Sequence, residues 1–224
     1  MTSQTPGQPL AGKKIAVVVE SEFVPHEIAT YQERFAACGA EVHLMSRLWG
    51  NPSLTFVSDV EQTDETPQTL TVEKDFTQVD LNDYAAVIMA ANYPSVRLRW
   101  LDDADLEQDA AGQPIIDGNS ARRAPAVQFF ERAMRNPRIV KGFPCHALWI
   151  LTPIPEVLAG RRVTCNRVLL ADLYNAGGVY VAPIGGVAVD ADLITNDSAS
   201  HTAELVDAIR DRILAIAAGD LAQR

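Results

Sequence analysis

Short apolar runs and amphipathic segments alternate along the first part of the chain. Residues 15–19 are continuously apolar, which is typical of a strand covered on both faces. Apolar residues then recur at three- and four-residue steps over residues 28–38 and stop at Gly39, which predicts a helix ending at a glycine. Residues 41–45 alternate as a second strand. This strand–helix–strand order predicts a parallel, doubly wound sheet.

The later elements follow the same two periodicities. Further strands are predicted at residues 70–76, 84–90, 138–143, 161–165 and 179–181. Residues 187–195 are predicted to supply short strands, with turns at Gly185 and Asp190. Further helices are predicted at residues 124–134, 168–176 and 202–217. Residues 147–152 begin another helix, which Pro153 and Pro155 cut short. Residues 51–69 are polar and turn-rich, and they predict a loop or a short hairpin.

The length and composition favour a single domain. The chain has 224 residues, of which 47% are hydrophobic, and this suits one sizeable core. Residues 1–12 are small and polar and predict a disordered tail, so we assign the domain to residues 13–218. An acidic, irregular stretch at about 97–121 predicts an excursion from the core fold. The expected class is α/β, with a mostly parallel sheet sandwiched by helices.

The charge balance argues against several classes of partner. The chain carries 19 basic and 29 acidic residues, for a formal net charge of −10. Nucleic acids and anionic lipids require clustered Lys and Arg, so neither is an expected partner. No apolar run approaches the ~20 residues that span a bilayer, and residues 1–12 lack the apolar stretch of a secretory signal. We therefore expect a cytoplasmic protein that does not bind membranes.

The cysteines and histidines give no sign of a disulfide framework or a metal site. Cys38, Cys145 and Cys165 are far apart in the chain, which fits reduced thiols, and Cys38 lies on the apolar face of its predicted helix. The histidines are scattered and form no metal-ligand set. No glycine-rich phosphate loop is present. Neither a metal nor a cofactor is expected.

Reactive side chains collect where the predicted strands end. The first strand leads into Glu20, Glu22 and Glu27, and a later one delivers Cys145 and His146. In a parallel sheet these strand ends meet at the carboxyl edge, where active sites form. A cysteine on a strand-to-helix turn lies near backbone amides that favour its thiolate and stabilise an oxyanion. The pattern predicts a nucleophile elbow with sulfur as the nucleophile.

Each of these residues also has a purely structural interpretation. Cys145 could be a small buried apolar residue, His146 a packing residue at the start of a helix, and Glu27 a favourable first-turn charge. A redox pair between Cys145 and Cys165 is a further alternative.

Several segments resemble the ThiJ/PfpI superfamily in the same order along the chain. Residues 142–151 resemble that family's Cys-His elbow, and residues 21–28 are similar to its acidic loop after the first strand. The later segments that resemble the family are residues 158–164, 172–177 and 192–195. The resemblance implies a flavodoxin-like fold of the class I glutamine amidotransferase type, assembled as a homodimer or larger oligomer.

The resemblance also implies roles for individual residues. It places the glutamate that faces the cysteine at Glu27, with Glu22 as the alternative. It assigns the oxyanion and pocket positions to Ala91, Asn92 and Asn166. The chain departs from the family at two of these places: Ala90 and Ala91 replace Gly-Gly, and Asn166 replaces a His or Tyr. Because the amide of Asn166 cannot act as a base near neutral pH, the general base would be Glu27 or His146.

Together these observations predict a cysteine-dependent enzyme. Its substrate would be a small carbonyl, amide or nitrile-like electrophile, and its reaction that of a hydrolase, a hydratase or a glyoxalase or deglycase. The alternative is a non-enzymatic redox sensor or stress-response binding protein that uses the same cysteine. In either case we expect a homodimer in which the 97–121 excursion packs near Cys145 of its own or the partner chain.

Overall fold

A computed structural model describes residues 7–60 and 66–220. The strands and helices in chain order are β1 (Lys14–Val18), α1 (Pro25–Ala37), β2 (Glu41–Met45), β3 (Leu54–Val57), β4 (Thr69–Val72), β5 (Ala86–Met89), α2 (Pro94–Arg97), α3 (Pro125–Met134), β6 (Val140–Pro144), α4 (Pro155–Leu158), β7 (Arg162–Val163), α5 (Leu170–Asn175), β8 (Val179–Tyr180), β9 (Val187–Asp190), β10 (Leu193–Asn196) and α6 (Thr202–Ala217). A 3₁₀ helix covers Ala147–Leu151.

A six-stranded sheet with the order β2-β1-β5-β6-β10-β9 forms the centre of the molecule. All neighbouring strands are parallel except β9, which is antiparallel to β10 at one edge. Helices α1 and α6 pack against each other and against the sheet, and α3 contacts β6 through the rings of Phe130 and Phe143. The predicted α/β class, with a mostly parallel, flavodoxin-like sheet between helices, is confirmed.

The core lies between this sheet and the helices because β1 and β5 are buried on both faces. Every residue of β5 is buried, which explains why its sequence is continuously apolar rather than alternating. At Gly142 in β6, a Cβ would lie 2.9 Å from the Cδ1 of Ile209. Glycine at this position therefore allows α6 to pack closely on the strand that leads to Cys145.

Several predicted elements differ in detail. The polar region before residue 70 contains β3, which pairs with β4 as a hairpin. The strand expected at 161–165 shortens to β7, which joins β8 in a separate parallel pair. By contrast, the short strands predicted within 187–195, with a turn at Asp190, are confirmed as the antiparallel hairpin of β9 and β10, which has Ala191 at φ 55° in its turn. The helix expected at 147–152 is a 3₁₀ helix.

The predicted tail and excursion have different outcomes. The predicted tail covers residues 1–12, of which residues 1–6 lie outside the described residues. Leu10 is fully buried and its N–H donates to the carbonyl of Cys38, so this residue belongs to the fold and not to a disordered tail. The excursion is largely exposed and irregular, and Arg47 pairs with Asp105 within it at 2.7 Å. Over the described ranges, no helix combines the length and apolarity needed to cross a membrane.

Candidate active site

Cys145 follows β6 directly and adopts a left-handed backbone conformation, with φ 51°. For a residue with a Cβ this conformation costs roughly 1–2 kcal/mol. Hydrogen bonds hold it in place: the Cys145 N–H donates to the backbone oxygen of Asn196 at 2.9 Å and to its Oδ1 at 3.2 Å. The Cys145 carbonyl accepts from the N–H of Asn166 at 3.1 Å. The turn is thus a strained elbow supported by two neighbouring segments.

Polar groups surround the sulfur of Cys145. The Nδ1 of His146 lies 3.1 Å from Sγ, and the Nδ2 of Asn166 donates to it from 3.7 Å. Burial raises the pKa of the Cys145 thiol, and the charge of Glu27 acts in the same direction. The Asn166 amide and the N–H groups of His146 and Ala199 partly oppose that rise in pKa. The backbone amides expected from the sequence are present at the elbow, but burial outweighs their effect on the pKa of the thiol.

His146 lies among aromatic rings. Its ring stacks on Trp149 with a centroid distance of 5.2 Å and on Tyr93 with a centroid distance of 5.8 Å. Burial lowers the pKa of His146, so the imidazole is neutral at neutral pH. Its carbonyl accepts from the hydroxyl of Ser95 at 3.1 Å, which links the elbow to α2. A neutral imidazole held beside a thiol is suited to accept a proton.

Glu27 lies in the first turn of α1 and is fully buried. Both of its carboxyl oxygens accept from the N–H of Ala91, at 3.1 and 3.0 Å. Burial raises the pKa of Glu27 to about 7, against the opposing effects of Tyr31 and the Ala91 N–H. The hydrogen bonds that hold the carboxyl group come from the Ala91 N–H. Glu27 acts on Cys145 through its charge rather than through a hydrogen bond.

The predicted pocket residues fall into two groups. Asn166 lies at the sulfur, and Ala91 lies in the same apolar cluster as Cys145, although the Ala91 N–H is occupied by Glu27. Asn92 and Glu22 lie together in the adjoining loops with φ values of 67° and 66°, and the Asn92 side chain donates to the Glu22 carbonyl at 3.1 Å. Of the two predicted carboxyl groups, Glu27 is the one whose charge contributes to the pKa of the Cys145 thiol.

Comparison with known proteins identifies the fold. No protein-family model and no curated protein matches the chain. A ThiJ/PfpI domain protein from Brachyspira murdochii is similar over 91% of this chain and 96% of its own, with 12% identity and a TM-score of 0.66. DJ-1beta from Drosophila melanogaster is similar over 95% and 100%, with 14% identity and a TM-score of 0.65. The chain has the ThiJ/PfpI fold.

A third solved structure agrees with this assignment. A ThiJ/PfpI family protein from Pseudomonas syringae is similar over 100% of this chain and 83% of its own, with 12% identity and a TM-score of 0.63. The superfamily resemblance predicted from the elbow and its flanking segments is confirmed for the fold.

On this ThiJ/PfpI fold, two site residues were missed by sequence reasoning. Asn196 ends β10 and holds the Cys145 N–H, and Ala199 brings its N–H towards the sulfur. Asn196 could have been found from the sequence, because polar residues at the carboxyl ends of neighbouring parallel strands lie at the same edge of the sheet as the elbow. Ala199 had none, since its contribution comes from its backbone.

The remaining cysteines and possible metal ligands complete the description of the site. Cys165 is buried, and burial, followed by the charge of Cys145, raises its pKa to about 12. It is therefore a thiol at neutral pH, and all three cysteines are free. Cys38 is partly buried against the core. Within residues 7–60 and 66–220, no group of three or more His, Cys, Asp or Glu side chains is arranged to hold a metal ion.

Proposed function

We propose that this protein is a cysteine-nucleophile enzyme acting on a small carbonyl, amide or nitrile-like electrophile. The observation that carries the proposal is the convergence of the His146 imidazole and the Asn166 amide on the sulfur of Cys145, at a turn held in a left-handed conformation. Strained backbone of this kind is concentrated at functional sites. The buried Glu27 carboxyl group, whose pKa is about 7, also acts through its charge on the pKa of this thiol.

The first step is addition of the thiol to the substrate. Because burial keeps the Cys145 thiol protonated, a base must remove its proton during attack. The Nδ1 of neutral His146 accepts that proton while Sγ bonds to the electrophilic carbon and the π electron pair moves to the substrate oxygen or nitrogen. The N–H groups of His146 and Ala199, which approach the sulfur, are placed to donate to the new anion.

Glu27 completes the proton transfers. Because burial raises the pKa of Glu27 to about 7, its carboxyl group exchanges a proton near neutral pH and is able both to give and to take one. It would protonate the developing anion or leaving group, and its carboxylate would then activate the water that releases the product. The Ala91 N–H keeps the carboxyl oriented throughout.

Turnover tests this proposal directly. Small aldehydes, amides and isonitriles are screened with the wild type, with Cys145→Ser and with the control Cys38→Ser. Cys145→Ser should lower kcat/KM on the order of a thousandfold for any active substrate, and Cys38→Ser should leave it within about twofold. Activity that survives Cys145→Ser would exclude the nucleophile role.

A second candidate is the non-enzymatic redox sensor or stress-response binding protein. It is favoured by one observation: the Ala91 N–H, an expected oxyanion donor, is already bound to Glu27, while other donors point at the sulfur itself. A peroxide would convert the thiol to a sulfenic acid and a second peroxide would give the sulfinic acid, each releasing one water. Mass spectrometry after mild peroxide tests it. Selective sulfinic acid at Cys145, with no turnover of any electrophile, supports the sensor, and no oxidation at Cys145 excludes it.

The proposal also includes the cellular compartment and the oligomeric state of the protein. Three free thiols suit a reducing cytoplasm, where disulfides are rare. We further propose a homodimer, as the superfamily resemblance implies.

A further inference from the structure

A cavity of about 280 Å³ opens between the start of α1 and the residues that connect β3 to β4. Its lining residues are Val24, Pro25, His26, Ser58, Asp59, Thr66 and Gln68. Val24 also packs against Ala91 and Cys145 in one small apolar cluster. One residue thus forms part of the cavity wall and part of the wall around the nucleophile.

Two polar links join the cavity to the elbow. The His26 Nε2 lies 3.3 Å from the carbonyl oxygen of Ala199, whose own N–H interacts with the Cys145 sulfur. The Asp59 carboxylate accepts from the side-chain amide of Asn92 at 2.7 Å. Asn92 directly follows Ala91, whose N–H donates to Glu27. Hydrogen bonds therefore connect the cavity with the segments that hold the Glu27 carboxyl group and the Cys145 thiol.

Asp59 gives the cavity an acidic character. Within the described part of the chain, its carboxylate accepts hydrogen bonds from the Asn92 amide and from the N–H of Val60 at 2.8 Å. A carboxylate offers about four acceptor positions, which is more than these described donors use. Among the described lining residues there is no Lys or Arg to neutralise it, and the other polar groups are hydroxyls, an amide and an imidazole. The net charge of −10 strengthens the same field.

We propose that this cavity binds the part of the substrate that does not react, and that this part is neutral or cationic and carries a hydrogen-bond donor, a hydroxyl or an ammonium group. Asp59 accepts from that donor and repels anionic substrates. The inference rests on the proposed nucleophile, because it assigns specificity to the site around Cys145. It goes further by excluding one charge class of electrophile.

Charged thiol reagents test the cavity without requiring turnover. Cationic 2-aminoethyl methanethiosulfonate and anionic 2-sulfonatoethyl methanethiosulfonate each transfer their thioalkyl group to a thiolate and release methanesulfinate. Peptide mass spectrometry gives the rate at Cys145, with Cys38 as an internal reference. The cation-to-anion rate ratio at Cys145 should exceed that at Cys38 by at least about fivefold.

Two variants and one control connect this preference with the cavity. Asp59→Asn removes the charge but keeps the acceptor for Asn92, and should lower the ratio at Cys145 by at least about threefold. Gln68→Lys places a cation in the same wall and should also lower it, and the exposed Gln68 side chain makes this change compatible with folding. Asp83→Asn changes the net charge equally at the amino edge of the sheet and should leave the ratio unchanged.

The outcomes separate the two proposals. The assignment of the cavity is overturned if the cation-to-anion rate ratio at Cys145 equals that at Cys38, or if neither cavity variant changes it. It is also overturned if neither reagent labels Cys145. If charge selectivity follows the variants but no electrophile is turned over, the cavity assignment holds and the enzyme proposal fails.

Discussion

The Nδ1 of His146 lies 3.1 Å from the Sγ of Cys145, although the two residues are consecutive in the chain. In an extended strand, successive side chains point to opposite faces and would not meet. The left-handed turn at Cys145 breaks that alternation and brings the thiol and the imidazole to one side. The backbone strain therefore creates the acid–base pair on which the proposed chemistry depends.

The strain at Cys145 is measurable by comparing two variants without sulfur. The free energy of unfolding of Cys145→Gly should exceed that of Cys145→Ala by about 1 kcal/mol, because glycine adopts a positive φ without steric cost. Denaturant unfolding of the two variants measures this difference. At the exposed residue Ala29 inside α1, replacement by Gly should have the opposite sign and cost about 0.5–1 kcal/mol. Equal stability of the Gly and Ala variants at position 145 would argue against a strained elbow.

Glu27 should control the ionisation of Cys145. Above pH 7 the Glu27 carboxylate is charged and, after burial, is a further cause that raises the thiol pKa. Glu27→Gln removes that charge and should lower the pKa of Cys145. The pH dependence of iodoacetamide alkylation at Cys145 measures it, and Glu33→Gln on the exposed side of α1 is the control. An unchanged pKa would mean that Glu27 does not act on the thiol.

Glu27 should also make stability depend on pH. Its pKa is about 7 in the fold against 4.5 as its ordinary value, so its contribution is complete below about pH 4.5 and is lost as the pH rises through 7. The difference in unfolding free energy between wild type and Glu27→Gln should fall by about 3 kcal/mol across that window. Urea unfolding at several pH values tests this, and a constant difference would contradict the raised pKa.

A buried ion cluster at the start of β6 should be a major source of stability. Lys141 is fully buried and pairs with Asp192, which also pairs with Arg161 at 2.9 Å. Burial opposes the charge of Asp192, but the two cations outweigh it and lower its pKa. Asp192→Asn leaves buried cations short of a counter-charge and should cost about 3–5 kcal/mol.

The control for this cluster is an exposed ion pair. Asp207 pairs with Arg34 at 3.0 Å on the surface, and Asp207→Asn should cost at most about 1 kcal/mol. The double variant Lys141→Met with Asp192→Leu should recover part of the loss seen in Asp192→Asn. Similar losses for Asp192→Asn and Asp207→Asn would show that the cluster has no special role.

The proposed homodimer is tested by mass in solution. Tyr174 and Ile184 are 81% and 88% exposed, which is unusual for such large apolar side chains and fits a surface that is covered in an assembly. Light scattering at micromolar concentration should give twice the 24.4 kDa of one chain. A monomeric mass would remove the assembly from the proposal, together with the expected packing of the 97–121 excursion on a partner.

The sequence by itself determined the kind of fold and the position of the elbow. Strand β2 and helix α6 were predicted with the bounds that the structure has, because their apolar residues follow the periods of a half-buried strand and an amphipathic helix. Cys145 and His146 were located because a buried strand led directly to them. Such signals lie within about 15 neighbouring residues, the range over which local periodicity is expressed.

Only the tertiary structure decided which residues of the site contact one another and how their pKa values are shifted. Asn196 and Cys145 are far apart in the chain, and they meet because β10 and β6 are adjacent in the sheet. Burial of Glu27 between α1 and Ala91 raises its pKa to about 7, and no local pattern specifies that desolvation. The engagement of the Ala91 N–H and the net rise of the thiol pKa have the same origin. Both effects depend on which groups are buried against one another and shielded from water, and this burial arises only when distant segments of the chain pack together.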